Sequence, residues 1–336
     1  NVVQALTNRG FPEPLARALA ARHVTSPSDL DYEFKEMLSP WDLKNCREAG
    51  EAIADAIWKQ KKIVIIGDYD CDGATAVSVG ILGLQALGAF NVSYLIPDRD
   101  KDGYGLSPQL VDRAAAAGAE LIITVDNGIS SVAAVEHAKT LGIEAVVTDH
   151  HLPGDEIPDT LVVNPNQRGD TFPSKSLAGV GVIFYVLIAV RSALRAKGAY
   201  PNGKQPNLQH LIDLVALGTV ADVVPLDRNN RILVSKGLDS IRAGKMQPGV
   251  SALLSVAGKN AHRISANDLG YILGPRINAA GRLDSINKGV ECLTSYDYNT
   301  ALFYAKELDQ INAERRNREV SMQSDAILSL QTISVD

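Results

Sequence analysis

The chain has 336 residues, 46% hydrophobic and 21% charged, which is ordinary for a globular protein of two domains or of one large domain with additions. Its three cysteines are far apart and exclude a disulfide framework, so we expect a reducing, cytoplasmic compartment. The net charge of −6 argues mildly against a nucleic-acid partner, although bound cations would reverse the field around clustered carboxylates.

Short helices are predicted for residues 1–48, a segment without recognisable chemistry. From Lys61 onward, apolar β-branched runs alternate with helical segments. The predicted strands are 63–67, 92–97, 121–125, 145–148 and 161–163, and the helices between the first four are 74–89, 107–119 and 131–141. Such strand–helix–strand units predict right-handed crossovers and a parallel sheet with helices on both faces.

The second half of the chain is predicted to be helical. The expected helices are 181–196, 208–219, 230–242, 268–282 and a polar helix from about 298 to 330. The apolar run Val180–Val190 is too short to cross a bilayer and indicates a buried helix. A long polar helix is typical of a connector, so we expect the natural protein to continue beyond Asp336.

Acidic and histidine residues follow three of the predicted strands. They are Asp68, Asp70 and Asp72 after the first strand, Asp126 after the third, and Asp149-His150-His151 after the fourth. Parallel sheets bind ligands at the carboxyl ends of their strands, so these clusters should converge. The mutual repulsion of such acids requires cations, and carboxylates with imidazoles suit Mn²⁺ or Mg²⁺. Two ions bridged by a carboxylate can activate water, which indicates a phosphoesterase. Zinc stays open, although no structural zinc spacing occurs.

The Asp-x-Asp-x-Asp spacing predicts how the first cluster points. In an extended segment, Asp68, Asp70 and Asp72 would face one cation, while Tyr69 and Cys71 would face the core. A calcium loop is the alternative, but it needs a glutamate downstream, and residues 74–83 contain no acid.

Three further residues are assigned by their surroundings. His150 and His151 are adjacent and should point in opposite directions, so we favour His150 as a metal ligand and His151 as a contact to substrate phosphate or a support. Asp222 lies at a predicted helix end among apolar residues, where a carboxylate needs a partner, and we assign it to a metal. A helix cap is the alternative for Asp222.

Positive charge for a substrate phosphate comes from two segments. Arg276 and Arg282 lie in the small-residue segment 274–282, and Arg99 follows the second strand. Arginine binds phosphate through two parallel hydrogen bonds, whereas a surface ion pair is the alternative for each of these residues.

Together these motifs resemble the DHH phosphoesterase superfamily and, within it, the bacterial RecJ family of single-stranded-DNA exonucleases. The matching segments are GDYDCDG at 67–73, VDNGISS at 125–131, TDHHLPG at 148–154, LAGVGV at 177–182, ALGTVADVVPL at 216–226 and GPRINAAGR at 274–282. They cover nearly the whole chain in the family's order. The resemblance implies an α/β fold with a DHH-type parallel five-stranded sheet flanked by helices, and a helical C-terminal part.

The resemblance also implies a 5′→3′ exonuclease that hydrolyses single-stranded DNA to mononucleotides in DNA repair and recombination. By the family pattern, two Mn²⁺ or Mg²⁺ ions would be held by Asp70, Asp72, Asp126, His150 and Asp222, with Asp126 as the bridge. Support or phosphate contact would come from Asp68, Asp149 and His151, and DNA or 5′-phosphate contacts from Arg99, Arg276, Asn278 and Arg282. A single-strand-binding protein and a helicase are implied partners.

The domain organisation follows from the same resemblance. We expect an N-terminal helical segment (1–48), a DHH catalytic domain (49–228), a helical part that completes it (229–296) and a connecting helix (297–336). Family members continue into a DHHA1-type domain and an OB-fold, so this chain is expected to be a catalytic core. A DHH phosphodiesterase of short oligonucleotides, cyclic dinucleotides or pyrophosphate is the alternative. A non-enzymatic scaffold is disfavoured because every expected ligand position is occupied.

Overall fold

A single sheet organises the first half of the chain. The computed structural model describes residues 1–97, 105–283 and 286–332, with side chains up to residue 323 except that of Leu283. The strands are β1 (Ile63–Ile66), β2 (Val92–Leu95), β3 (Leu121–Val125), β4 (Glu144–Thr148) and β5 (Leu161–Val163). All neighbouring strands are parallel, in the order β2-β1-β3-β4-β5. The predicted five-stranded parallel sheet is therefore confirmed.

Helices make up most of the remaining described chain. They are α1 (Val2–Asn8), α2 (Glu13–Ala20), α3 (Cys46–Trp58), α4 (Cys71–Ala86), α5 (Pro108–Ala116), α6 (Val132–Thr140), α7 (Gly179–Ala196), α8 (Ile212–Ala221), α9 (Arg228–Arg242), α10 (Pro248–Val256), α11 (Ala266–Asp268), α12 (Gly274–Leu283), α13 (Asn287–Thr294) and α14 (Tyr298–Thr332). Short 3₁₀ turns occur at Pro27–Leu30, Phe34–Glu36, Pro40–Asp42, Leu208–Leu211 and Ala261–Arg263, and a π-helical turn at Leu269–Leu273.

The two faces of the sheet are buried in different cores. Along β1, Ile63 and Ile65 point into a large core with α3, α4 and α7, whereas Val64 and Ile66 point into a smaller core with α5 and α6. Successive side chains of a strand face opposite sides, and both sides here are covered, so every residue of β1 and β3 is buried. The edge strand β2 is only half-buried.

Helix α7 is the central helix of the large core. Among the described helices it alone is long and apolar enough to span a membrane, but 67% of it is buried within the protein, as expected for a core helix. It packs closely against α3, because Gly50 leaves open a position where a Cβ would lie 2.6 Å from Ala189 Cβ. The predicted boundary between residues 48 and 49 lies inside α3, so the end of the N-terminal segment and the sheet domain share one helix.

The C-terminal helices form an extension of the large core. The first part of α14 buries Ala301, Ala305 and Leu308 against α10, α12 and α13. Beyond Asn312 the described side chains are mostly exposed. The predicted domain boundaries stay predictions, but α14 starts within a residue of the connecting helix expected from the sequence.

Candidate metal centre

The acidic segments predicted to converge do meet at the carboxyl edge of the sheet. Ligand atoms within 4.8 Å of one another form three groups: Asp126, His150 and His151; Asp72, His150 and Asp222; and Asp68, Asp70 and Asp126. These side chains come from the loops after β1, β3 and β4, from the first turn of α4 and from the end of α8. The structure therefore brings together all five residues expected to hold metal ions, with Asp126 and His150 each in two groups.

The first acidic loop is less extended than its spacing suggests. Asp70 is the N-cap of α4, and its Oδ1 accepts a hydrogen bond from Gly73 N at 2.9 Å. The helix therefore begins at Cys71, and Asp72 lies in its first turn. The predicted alternation across an extended segment is wrong at Asp72, because a capping aspartate starts the helix earlier than the apolar pattern indicates.

Asp72 is held by the start of a second helix. Its Oδ2 accepts a hydrogen bond from Gly179 N at 2.7 Å and its Oδ1 accepts one from Val180 N at 2.9 Å. Both amides belong to the first turn of α7, where unpaired N–H groups and the helix dipole favour an anion. This carboxylate, which is 1% exposed, is therefore fixed in orientation.

Two glycines make room for the carboxylates. A Cβ at Gly179 would lie 2.4 Å from Asp126 Oδ1, and one at Gly218 would lie 2.9 Å from Asp72 Oδ1. A side chain at Gly179 would collide first with Asp126, and one at Gly218 would collide first with Thr75 and then approach Asp72. The sequence-based site did not include these residues, although both lie in motifs that carry the family resemblance.

His150 occupies the middle of the cluster. Its Nε2 lies 3.1 Å from Asp126 Oδ1, 3.5 Å from Asp222 Oδ2 and 3.9 Å from Asp72 Oδ2. Within the described chain, His150 Nε2 and Asp126 Oδ1 are both buried without a hydrogen-bond partner. Such atoms are rare in native proteins, and a cation among them would satisfy both. The donor set of carboxylates and one imidazole fits Mn²⁺ or Mg²⁺.

Asp149 organises the two histidines instead of joining the ligand groups. Its carboxylate accepts hydrogen bonds from the backbone N–H groups of Ile129, His150 and His151, and it lies 2.7 Å from His151 Nδ1. These bonds bend the chain, so the two imidazole rings lie 4.5 Å apart on one side. The expectation that His150 and His151 point in opposite directions is therefore wrong.

The carboxylates of the cluster resist ionisation while no cation is bound. Burial, followed by repulsion from Asp222 and Asp70, raises the pKa of Asp72 well above its ordinary value. Burial and then Asp72 do the same to the pKa of Asp126. Burial and the charge on Asp70 raise the pKa of Asp222 to about 6. Divalent cations would reverse each of these shifts, since they favour the ionised acids.

The two histidines differ in charge. Burial, with the nearby His151, lowers the pKa of His150 to about 4, so its imidazole is neutral at pH 7 and offers a lone pair. The hydrogen bond to Asp149 raises the pKa of His151 to about 9. His151 therefore carries a proton at neutral pH, and its side chain is 42% exposed at the mouth of the site.

The four residues other than His151 that were predicted to contact phosphate or DNA differ in their surroundings. Asn278 Oδ1 accepts a hydrogen bond from Cys71 N at 2.7 Å and so fastens α12 to the acidic loop. Arg276 is 8% exposed and forms an ion pair with Asp309 of α14 through Nε at 2.9 Å and a terminal nitrogen at 2.8 Å. Arg282 is exposed, and Arg99 lies outside the described residues. Phosphate binding by these four stays a prediction.

Several known proteins are similar to this chain in sequence. A family model described as "DHH family, N-terminal domain" matches residues 62–219. The single-stranded-DNA-specific exonuclease RecJ of Salmonella typhimurium is 52% identical over 95% of this chain and 56% of its own length. The chain therefore spans about half the length of the curated relatives it matches.

Solved structures are similar over most of the chain. A crystal structure of exonuclease RecJ bound to manganese matches with 36% identity and a TM-score of 0.76, over 86% of this chain and 70% of that one. RecJ from Thermus thermophilus in complex with Mn²⁺ matches with 33% identity and a TM-score of 0.81, over 96% of this chain and 45% of that one.

Proposed function

Because this chain belongs to the RecJ family of DHH proteins, we propose that it is the catalytic core of a metal-dependent 5′→3′ exonuclease that hydrolyses single-stranded DNA to mononucleotides. One observation carries the proposal: acids and an imidazole from four chain segments converge, and two buried polar atoms of this cluster have no hydrogen-bond partner in the described chain. DNA repair and recombination in the cytoplasm are the proposed setting. A single-strand-binding protein and a helicase are proposed as partners on the family resemblance alone.

The proposed ligands of two Mn²⁺ or Mg²⁺ ions are Asp70, Asp72, Asp126, His150 and Asp222. When bound, the ions would supply an activated water and neutralise charge on the phosphate oxygens. Asp126 belongs to two of the three ligand groups, which supports its role as the bridge. Gly179 N and Val180 N keep Asp72 in place, so the site needs little rearrangement to accept a cation.

His151 has a separate role in the proposal. Its Nδ1 is engaged by Asp149, and its ring is protonated at neutral pH. It can donate a hydrogen bond to a phosphate oxygen at the mouth of the site, and the positive charge favours an anionic substrate. Asp149 thereby orients the imidazole, and Asp68 adds negative charge at the edge of the ligand cluster.

The substrate is tested with 5′-phosphorylated single-stranded DNA, the matching duplex, a dinucleotide and a cyclic dinucleotide, each assayed with Mn²⁺. Release of mononucleotides from single strands, with little action on duplex, supports the exonuclease. Preference for the dinucleotide or the cyclic dinucleotide would instead support the alternative phosphodiesterase.

The metal centre is tested with Asp126→Asn, which removes the bridging charge at nearly constant volume. We expect the rate of hydrolysis to fall by at least about 100-fold because the bridging charge is lost. Each tenfold fall corresponds to about 1.4 kcal/mol of transition-state stabilisation. The matched control is Asp155→Asn, an exposed aspartate in the loop after β4, which should leave the rate unchanged. Undiminished hydrolysis by Asp126→Asn would exclude this metal centre.

A further inference from the structure

A cavity lined by both charged and apolar side chains lies near the proposed metal centre along the chain. It has a volume of about 790 Å³ and is formed where the N-terminal helical segment meets the loop that follows Asp222. Three arginines line it, and we term it the arginine cavity: Arg22 lies just after α2, and Arg228 and Arg231 lie in the first turn of α9. Pro225 and Leu226 supply its apolar wall.

The arginine cavity is close to the proposed ligand Asp222 along the chain. Pro225 is three residues after Asp222, and an extended chain covers at most about 3.6 Å per residue, so their Cα atoms lie within about 11 Å. Val223, which lies between them, is 84% exposed and has a φ of 60°. A β-branched residue in the left-handed region has a strained backbone. The fold therefore tolerates an unfavourable conformation at Val223, which exposes this apolar side chain next to the metal centre.

Positive charge predominates among the groups that are free to bind a ligand in this cavity. Arg22 donates to Ala18 O at 3.2 Å and Arg231 donates to Arg22 O at 3.4 Å. Neither has a carboxylate partner among the side chains of residues 1–97, 105–282 and 286–323. Arg228 is paired with Glu36 at 3.3 Å, but its Nε is buried without a hydrogen-bond partner in the same described chain.

The two acids that line the cavity are already engaged. Asp29 Oδ2 accepts from Thr25 N at 2.7 Å and from Ser26 N at 3.0 Å. Asp227 accepts from Asn230 N at 2.9 Å and from the Ser174 hydroxyl at 2.6 Å, and it caps α9. Asp227 and the first turn of a 15-residue helix, with Arg228 and Arg231, thus lie at the same cavity.

We propose that the arginine cavity binds backbone phosphates of the same DNA strand whose terminal phosphodiester occupies the metal centre. The inference rests on the proposed function and deepens it, since it assigns a path for the strand and a role for residues 1–48. Guanidinium groups and a helix N-terminus are suited to phosphate oxygens, and the exposed apolar loop between the two sites suits the sugar and base. A polymer with regularly spaced phosphates can fill both sites at once, whereas a single nucleotide cannot.

The test compares substrates that do and do not reach the cavity. Arg22→Glu/Arg231→Glu and the milder Arg22→Gln/Arg231→Gln are assayed with a 5′-phosphorylated dinucleotide and with a single strand of about 12 nucleotides. We expect dinucleotide hydrolysis to be unchanged and affinity for the longer strand to fall by at least about tenfold. The salt dependence of binding should weaken by about 0.7 in logarithmic slope for each phosphate that the variant no longer neutralises.

The matched control is Arg9→Glu, an exposed arginine of the same N-terminal segment that donates to Pro27 O and does not line the cavity. It should change neither the affinity nor the slope. Unchanged affinity and slope in both double variants would overturn the arginine cavity while leaving the metal centre intact. If the unaltered chain binds the longer strand without hydrolysing it, the proposed function fails and the salt slope still tests the cavity. If the unaltered chain does not bind the strand, both proposals are overturned.

Discussion

Replacing Asp222 with asparagine should stabilise the metal-free protein and abolish its stabilisation by metal. Burial and Asp70 raise the pKa of Asp222 from 3.8 to about 6, a difference of about two units. At about 1.4 kcal/mol per unit, keeping this acid ionised in the metal-free fold at pH 7 costs about 3 kcal/mol. The side chain is 22% exposed, so solvent screening removes little of that figure.

The direction of the pH effect follows from the raised pKa. Below about pH 4 the acid is protonated in both the folded and the unfolded state, and it has no effect on stability. As pH rises from about 4 to about 6, the unfolded chain releases its proton first, so the free energy of unfolding falls, and above about 6 the loss is complete. Asp222→Asn lacks this loss, so its advantage over the unaltered protein should grow with pH.

The assay is urea unfolding with a chelator at about pH 4 and about pH 7, repeated at pH 7 with Mn²⁺ in excess. With Mn²⁺ at about 1,000 times its Kd the order should reverse, because the metal then stabilises the unaltered protein by about 4.1 kcal/mol, which exceeds the cost of about 3 kcal/mol, while the variant is no longer stabilised by metal. Asp155→Asn, with its exposed carboxylate, serves as the control. If the metal-free variant gains the same stability at both pH values, or none at either, the proposed electrostatic cost at Asp222 is refuted.

Two further substitutions test how the cluster is positioned. Gly179→Ala places a Cβ 2.4 Å from Asp126 Oδ1, so Mn²⁺ affinity measured by calorimetry should fall at least about tenfold. The control Gly154→Ala, whose new Cβ meets its nearest atom at 4.0 Å, should have no effect. Equal Mn²⁺ affinities of the two variants would contradict the close approach of Gly179 to Asp126. Asn278→Ala leaves Cys71 N without its acceptor, and urea unfolding should show a loss of about 1–3 kcal/mol together with weaker Mn²⁺ binding. A loss of stability with unchanged Mn²⁺ binding would mean that Asn278 does not position the acidic loop.

The sheet and the convergence of acids were accessible from the sequence because they depend on local patterns. Continuous β-branched runs such as Ile63–Ile66 identify strands buried on both faces, and parallel topology then fixes which strand ends meet. Asp126 and Asp149 each follow such a run directly, so their places in the fold follow from the strands alone.

Details that depend on tertiary contacts could not be predicted from the sequence. The helix start at Cys71 was missed because the capping preference of Asp70 outweighs the two-residue repeat of acids. Nothing near Arg276 in the sequence indicates that its partner is Asp309, 33 residues later. Gly179 at the start of α7 lies close to Asp126 in the loop after β3, and this is a tertiary contact. No periodicity in the sequence predicts it.

Some short helices could not be predicted from the sequence patterns either. Helices α10 and α13 have nine and eight residues, and helices this short depend on tertiary packing, which here comes from α14. The π-helical turn Leu269–Leu273 interrupts the register of the segment that leads into α12, so no single period describes residues 266–283.

The spread of the proposed ligands along the chain, from Asp70 to Asp222, has a consequence for folding kinetics. Parallel strands pair only after long crossovers have closed, so sheets of this kind form late and slowly. The ligands from β1, β3, β4 and α8 can surround an ion only once all of those crossovers are complete. Recovery of Mn²⁺ binding during refolding should therefore coincide with the last kinetic phase, and the ion would lower the unfolding rate without hastening the initial collapse.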